Sequence, residues 1–468
     1  MTLPPSLQAR RLAVILAALG VSACAASLPD VGPADIPRLE QEVAASPEDT
    51  DLQVQLGMAQ FEAEEHEAAR TSLQGAVEAG NQSGAAFLYL GMANEELEDW
   101  AAARDAYTRY LSEGASSEAV NEVRKRLTLI GRNLLRAQAQ QALTQEAQIA
   151  GGAQITPQSV AVLPMAFNSD RADLEPLVYA LSDMMTTDFA VSNALVVLER
   201  AQIQALLDEM ALTSTGYAEP ATGARAGRML RAEHVFQGVL TTLGQDDLQT
   251  EADVLNVPNT SSAGQITESA VLEGLFDMEK RIVIRTIREV LGVELTPAEE
   301  QAILDNRMSN VLAFLAYGRG LREIDRGNYE AAQAEFALSA SLDASSFASR
   351  DAAMLEATNL VDASATSTVD LTGVAAATGE FGIGALAPPT ASTTQELLVD
   401  GTLTNVTEGV APTPTGTTLD LGSTDQSTTE TSTGTTRDPV QESHGQETVS
   451  GTAEAQIRIV IQRPGGEE

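Results

Sequence analysis

The chain has 468 residues, room for about three domains of roughly 150 residues, and its 66 acidic against 28 basic residues give a formal net charge of -38. That balance disfavours a sequence-independent grip on nucleic acid, which needs clustered Lys and Arg, and a polybasic membrane patch. The lone Cys24 allows no intrachain disulfide; His66, His234 and His444 have no zinc-site spacing; and 4% aromatics with one Trp, Trp100, disfavour a carbohydrate-stacking cleft. No metal or cofactor is expected from this inventory.

Residues 1–23 read as a secretory signal, with Arg10 and Arg11 as the positive region and Leu12 to Val21 as an apolar stretch too short for a permanent span. The run Val21-Ser22-Ala23-Cys24 resembles the lipobox of bacterial lipoproteins. The resemblance implies cleavage before Cys24 and lipidation of its thiol, and several acyl chains anchor firmly. The chain's sole Cys falls at this one place. Ala25 and Ala26 follow with no Asp, which by the same resemblance implies export to the outer membrane. Residues 24–37 are then a tether, and the rest is periplasmic.

Residues 38–148 contain an internal repeat of period 34: Leu56-Gly57-Met58-Ala59 recurs as Leu90-Gly91-Met92-Ala93, and Ala69-Arg70 as Ala103-Arg104. Leu73 and Ala76 match Tyr107 and Tyr110. Gly57 and Gly91 let paired helices approach, Ala69 and Ala103 are small where the next helix packs, and Phe87, Leu90 and Tyr107 fill the space between. Ala79-Gly80-Asn81 and Gly114-Ala115-Ser116 are helix stops. The pattern resembles the tetratricopeptide repeat, although Pro is missing from the usual end of both units. A half-repeat at 36–45 and a long helix at 117–147 cap the pair.

At 159–292 the periodicity changes. Ser159 to Pro164 and Ala194 to Leu198 read as buried strands, with helices at 174–190, 201–212 and 222–231 between and after them. The alternating stretches 234–243, 249–257 and 265–275 read as a meander. A helix at 276–291 follows, and Thr296-Pro297-Ala298-Glu299-Glu300 has the look of a capped helix start. Strands alternating with helices, then a meander, predict an α/β sheet domain.

VAVLPMAFNSD at 160–170, LSDMMTTDF at 181–189 and LVVLERAQIQALLDEM at 195–210 resemble the family of the curli-secretion lipoprotein CsgG, with the flagellar lipoprotein FlgO and the TolB N-terminal domain among its relatives. His234-Val235-Phe236-Gln237-Gly238 matches a further family strand, so the resemblance covers about 160–290. It implies an α/β periplasmic core, which some members use to build a secretion pore. A pore subunit needs spare hairpins whose strands show about ten alternating lipid-facing residues. Here the alternating segments are needed for the core sheet, and the turns between them are short.

The repeat pattern returns in the helical segment 293–360. Gly320 and Ala332 are twelve residues apart, as are Gly57 and Ala69, and Phe336 and Asp343 complete a third unit at about 311–348. The pattern leaves open whether the repeats frame the α/β core or stack together. From about 361 to 468 Thr, Ser, Gly and Pro dominate, a composition too apolar-poor to offset chain entropy, so disorder is expected. Two islands, 396–406 and 455–462, have strand character; either they are isolated sticky segments or the C-terminal one adds to a sheet edge, of this chain or a partner. The fold class is thus α+β or α/β: helical repeats flanking a sheet domain, with a low-complexity tail.

Chemistry is weakly signalled. Asp183 and Asp188 share one expected helix and Glu199-Arg200 ends a strand, which reads as a solvated acidic face plus an internal ion pair rather than a catalytic pair. His234 reads as packed or surface-lying. Gly223, Gly227 and Gly238 make no phosphate loop. Arg124-Lys125-Arg126 with Arg132 and Arg136 reads as a solvated helix face. No catalytic residue is assigned. The sites named are Cys24 for lipidation and the repeat positions Leu56, Gly57, Ala69, Leu90, Gly91, Ala103, Tyr107, Gly320, Ala332 and Phe336 for partner binding. The expected function is a periplasm-facing outer-membrane scaffold for envelope proteins or peptides, or for a homo-oligomer. The alternative is a curli-type pore subunit, and an envelope hydrolase comes last.

Overall fold

The computed structural model of the chain describes residues 31–112, 117–146, 155–211, 219–244, 246–345, 347–368 and 371. The signal at 1–23, Cys24 and the strand islands at 396–406 and 455–462 lie outside these residues. Helical hairpins come first: α1 (Ile36–Ala45), α2 (Thr50–Glu62), α3 (His66–Glu78), α4 (Gly84–Glu96), α5 (Trp100–Ser112) and the long α6 (Ser117–Thr144). The Asp49 carboxylate accepts from the Asp51 and Leu52 amides at the start of α2, and the Ser83 hydroxyl accepts from Ala86 at the start of α4, which sets both entry points. The expected tether is shorter than 24–37, because Val31 is buried and a 3-10 turn begins at Pro33.

The α/β unit follows: β1 (Thr156–Val162), β2 (Ala166–Asn168), α7 (Pro176–Ala190), β3 (Val196–Val197), α8 (Arg200–Glu209), α9 (Pro220–Met229), β4 (Ala232–Thr242), β5 (Asp247–Asn256), β6 (Ser261–Val271), α10 (Leu275–Arg285) and α11 (Pro297–Asp305). The strand order is β3-β1-β4-β5-β6, with β2 continuing beside β4. β1 is parallel to β3 and β4, whereas β4, β5 and β6 form the expected antiparallel meander. Val160 and Val162 face the core under α7, while Ala161 and Leu163 face the cluster under α8 and α9. A strand buried on both faces explains the unbroken apolar run. Two expectations need correction. The strand expected at 194–198 is two residues long, and the helix expected to reach 291 ends at Arg285 in a π turn, Thr286–Val290. Thr296 and Glu299 form the capping box that starts α11.

Three further helices close the described chain: α12 (Val311–Asp325), α13 (Tyr329–Leu342) and α14 (Ala348–Ala365). Helical order therefore runs past the expected tail boundary at 361. The fold is helical repeats on both sides of a sheet domain, and the two repeat regions meet. α12 packs on α7, α14 packs on both α13 and α6, and α6 packs on α5 and α8. One hydrophobic cluster runs from Val160 and Phe236 of the sheet through α7 to Tyr317, Phe336 and Leu360. A second belongs to α1–α6. The repeats thus stack through the α6–α14 contact and also frame the sheet, settling what the pattern alone left open.

Candidate functional site

The repeat residues sit inside helix crossings. A Cβ at Gly57 would lie 2.5 Å from Leu73, one at Gly91 2.6 Å from Tyr107, and one at Gly320 2.3 Å from Phe336. Each pair is sixteen residues apart, so all three units solve the crossing the same way. Leu56, Ala69, Ala103, Tyr107, Ala332 and Phe336 are buried with the three glycines, and Leu90 is half-buried. The expectation that these ten residues contact a partner is corrected: nine are inaccessible to one, and they hold the helices together.

The face of α4 that a partner peptide would reach is covered by the chain itself. α4 is buried on nearly every side. Arg126 of α6 places Nε 2.8 Å from Glu95 Oε1, and Tyr107 Oη donates to Glu95 Oε2 at 3.0 Å. Burial pushes the Glu95 carboxyl above its ordinary range, against the pull of Arg126 and Tyr107. The same Arg126 donates to the carbonyls of Ala363 and Thr366 at the end of α14. Just beyond, Thr368 Oγ1 donates to Glu96 Oε1 at 2.5 Å, and Leu371 is buried in the cluster that holds Phe87, Leu88 and Met92. Lys125 reaches Asp362 at 3.0 Å and Arg132 reaches Glu356 at 2.9 Å. Lys125, Arg126 and Arg132 therefore form a seam between α6 and α14 in place of the expected solvated face, while Arg136 is exposed. Besides the nearer Glu95 and Glu122, these three reach carboxylates and helix-end carbonyls more than 200 residues away in sequence.

The carboxylates on α7 are corrected likewise. Asp183 and Asp188 do not form a solvated acidic face. Arg200, at the first turn of α8, lies 3.4 Å from Asp183 Oδ1 and 2.7 Å from Asp325 Oδ2 of α12, while Tyr317 Oη donates to Asp183 Oδ2 at 2.5 Å. Against strong desolvation, Asp325 and Asp183 hold the Arg200 guanidinium charged. Leu198-Glu199-Arg200 thus marks a clamp between sheet domain and third repeat. Asp188 is fully buried beside Lys280 of α10, and Asn306 Nδ2 donates to it at 2.7 Å. Glu279 lies 2.9 Å from the same ammonium. One ammonium cannot balance two buried carboxylates. Burial raises both carboxyls, and the negative charge of Asp188 adds to the rise at Glu279. His234 is half-buried in β4, and burial lowers its pKa. Gly223 and Gly227 let α9 press onto Gln237, Leu255, Val235 and Val257.

Sequence reasoning missed Lys280, Asn306, Tyr317 and Asp325. A faint signal existed for Lys280: Glu279-Lys280 interrupts the apolar face made by Met278, Ile282 and Val283. Among the described residues no group of three or more His, Cys, Asp or Glu could hold a metal ion. A cavity of about 10 Å³ between α6, α8 and α9, lined by Leu135, Ala139, Leu206 and Met229, has room for about one water. No helix among the described residues is long and apolar enough to cross a membrane.

Residues 131–251 match the model of the family described as curli production assembly/transport component CsgG. The match begins within α6 and ends in β5, and it covers 160–251 of the stretch read as 160–290. Among solved structures, lipoprotein GNA1162 from Neisseria meningitidis is similar at 14% identity over 29% of this chain and 99% of that one, TM-score 0.23. The LpoB C-terminal domain from Salmonella enterica is similar at 7% identity over 27% of this chain and 95% of that one, TM-score 0.21. A tetratricopeptide repeat protein from Parabacteroides merdae is similar at 12% identity over 70% of this chain and 91% of that one, TM-score 0.19. No curated protein matches the chain.

Proposed function

We propose that this chain, with its CsgG-like segment, is a lipoprotein of the bacterial envelope. It is anchored to the outer membrane through Cys24, and its periplasmic part is a protein-binding scaffold for an assembly or secretion apparatus. The observation that carries the reading is the continuous core joining the sheet to the third repeat. With the α6–α14 seam, that core makes the helical arm and the sheet one body, so a partner held on the arm has a fixed geometry relative to the sheet. The arm would be met on its outer surface, or at α4 by displacing the 366–371 segment. The reading assigns no enzymatic activity: the buried carboxylates are engaged by Arg200, Lys280 and Asn306.

The description of the matched family favours a second reading, a subunit of a curli-type secretion channel. Strand usage speaks against it. β4 pairs with β5 and β5 with β6 along nearly their whole lengths, and Gln265, Thr267 and Ser269 on the exposed side of β6 are polar where a lipid-facing band would be apolar.

Two measurements test the proposal. Metabolic labelling with a fatty acid should mark the wild-type chain and not Cys24→Ser; equal labelling would remove the anchor. Crosslinking of the detergent-extracted protein should recover a defined set of envelope proteins through α1–α6 and α12–α14. Discrete conductance in planar bilayers, or a large ring by electron microscopy, would replace the scaffold with the channel.

A further inference from the structure

β6 is an edge strand. It pairs with β5 through ten residue pairs, and among the described residues no strand pairs its other side. Sheets blunt such edges with short strands, Lys, Pro, inward charges or bulges, because a row of open N–H and C=O groups templates another strand. The opposite edge follows this rule, since β3 has two residues. β6 does not. It has 11 residues, Ser261–Val271, with no Lys and no Pro. Its single charge, Glu268, is already matched by Arg281 at 2.8 Å and Arg285 at 2.7 Å. The register shift places an extra residue, Ala263, on β6 between the Val254–Gly264 and Leu255–Ser262 pairs, and it leaves Gly264 to Val271 regular.

The two sides of this edge differ. Ile266 is 2% exposed and sits in the main core, with Gly264 close against Val290 and Ala270 half-buried on the same side. Ala263, Gln265, Thr267, Ser269 and Val271 face the other way and are all exposed. On β5 that open side continues through Gln249, Glu251 and Asp253, so its charges are acidic. A strand that fits would carry alternate apolar residues on the Ile266 side and a basic residue on the Glu251–Asp253 side.

One segment of the chain has that pattern. In Gln456-Ile457-Arg458-Ile459-Val460-Ile461-Gln462, Ile457, Ile459 and Ile461 share one parity, and Arg458 has the other. Residues 455–463 contain Arg458 and Arg463 and no acid, whereas 372–454 contains a single basic residue, Arg437, among many acids. From Leu371, 85 residues lead to Gln456, and a flexible chain of that length spans roughly 50 Å. A second copy fits less well: β6 against β6 would bring two chains of net charge -38 together with acidic open sides. We infer that residues 456–462 pair with β6 as an additional strand of the sheet, supplied by the same chain. The inference goes beyond the scaffold reading and does not depend on any captured partner.

Hydrogen exchange tests it on the detergent-extracted full chain, on full-length Ile459→Pro, and on a chain ending at Glu454. Proline removes an N–H donor and breaks strand pairing, at a position remote in sequence from the described fold. β6 amides should exchange about tenfold or more slowly in the full chain than in either variant, at every protein concentration. A peptide of residues 455–463 should restore protection to the shortened chain. Equal β6 exchange in all three proteins overturns the inference. So does protection that grows with concentration alongside a doubled mass in light scattering, which would place a second copy on the edge.

Discussion

The first two repeats and the third use one local design in two settings. In each, a glycine faces a large residue sixteen positions on, and a left-handed residue turns the chain seven positions after that glycine: Glu64, Glu98 and Gly327. In each, the next amide closes the turn onto the preceding helix, Glu65 to Gln60 at 2.9 Å, Asp99 to Asn94 at 2.8 Å and Asn328 to Glu323 at 2.9 Å. Beyond that the regions part. The first two repeats are built into a cluster of their own, and their buried polar group Glu95 answers to α6. The third shares the core of the sheet domain and is tied to it by Arg200, Asp183 and Tyr317. Local sequence fixes how a helix pair folds on itself, while distant side chains decide which core the pair belongs to.

The sharpest way to break this difference is Lys280→Met. It leaves Asp188 without its cation in the shared core, and removing one partner of a buried pair costs about 3–5 kcal/mol. Urea denaturation should show that loss, and hydrogen exchange should place it in β4, α7 and α12 with α2–α5 little changed. A loss below about 1 kcal/mol, or equal loosening of α2 and α4, would mean that the two regions are not separate cores.

Overpacking the crossings compares the regions directly. Gly57→Leu, Ala103→Leu and Gly320→Leu should each cost about 1–3 kcal/mol. Gly320→Leu forces Phe336 toward the aromatic group where Tyr317 lies 5.8 Å from Phe336 and 5.5 Å from Phe347, so it should speed exchange in α7 and the sheet. The other two should speed it in α2–α5 alone. An unshifted melting transition for all three variants would mean that the crossings are not where the glycines place them.

What could be read from the chain follows the same division. The period of 34, the glycine–alanine spacing and the helix stops are local, and they located all three helix pairs. The both-sides-buried β1 and the meander were legible because strand periodicity is local too. The charged residues were misread because their partners are remote. Arg126 spans 240 positions to Thr366, Lys280 spans 92 to Asp188, and Arg200 spans 125 to Asp325. No spacing rule reports such pairs, and in an acidic chain a carboxylate is by default taken for a solvated one. The tail boundary was set too early for a related reason: Thr368 and Leu371 look like low-complexity sequence, and only the α4 face they cover orders them.

A smaller effect comes from the proton at Glu279. Its folded pKa is raised well above 4.5 by burial and by Asp188. Between the unfolded and folded values the native state holds the extra proton, so stability falls as pH rises through that window, with a slope of at most about 1.4 kcal/mol per pH unit. Glu279→Gln cannot ionise. Since the folded pKa is raised, the variant should come closest to the wild type near pH 4.5 and become the more stable protein as pH rises. Urea midpoints across that range check it. A difference that stays constant with pH would show that Glu279 is ionised in the fold throughout, with Lys280 serving both carboxylates.

The smallest expected change returns to the turns. Gly327 takes its left-handed conformation, φ 78°, without strain, whereas Glu98 takes φ 57° in the second repeat against the clash of its Cβ with the backbone. Glu98 is exposed, so its side chain contributes little packing. Glu98→Gly should relieve the strain and lose part of the gain to the greater freedom of glycine when unfolded, for a net stabilisation of about 0.5–1 kcal/mol. Glu98→Ala separates this from the removal of one negative charge in a chain of net charge -38. If conformation governs, Ala gives no gain, because it keeps the Cβ. If Ala and Gly stabilise equally, the effect is relief of charge repulsion, and the three turns are alike in shape without being alike in strain.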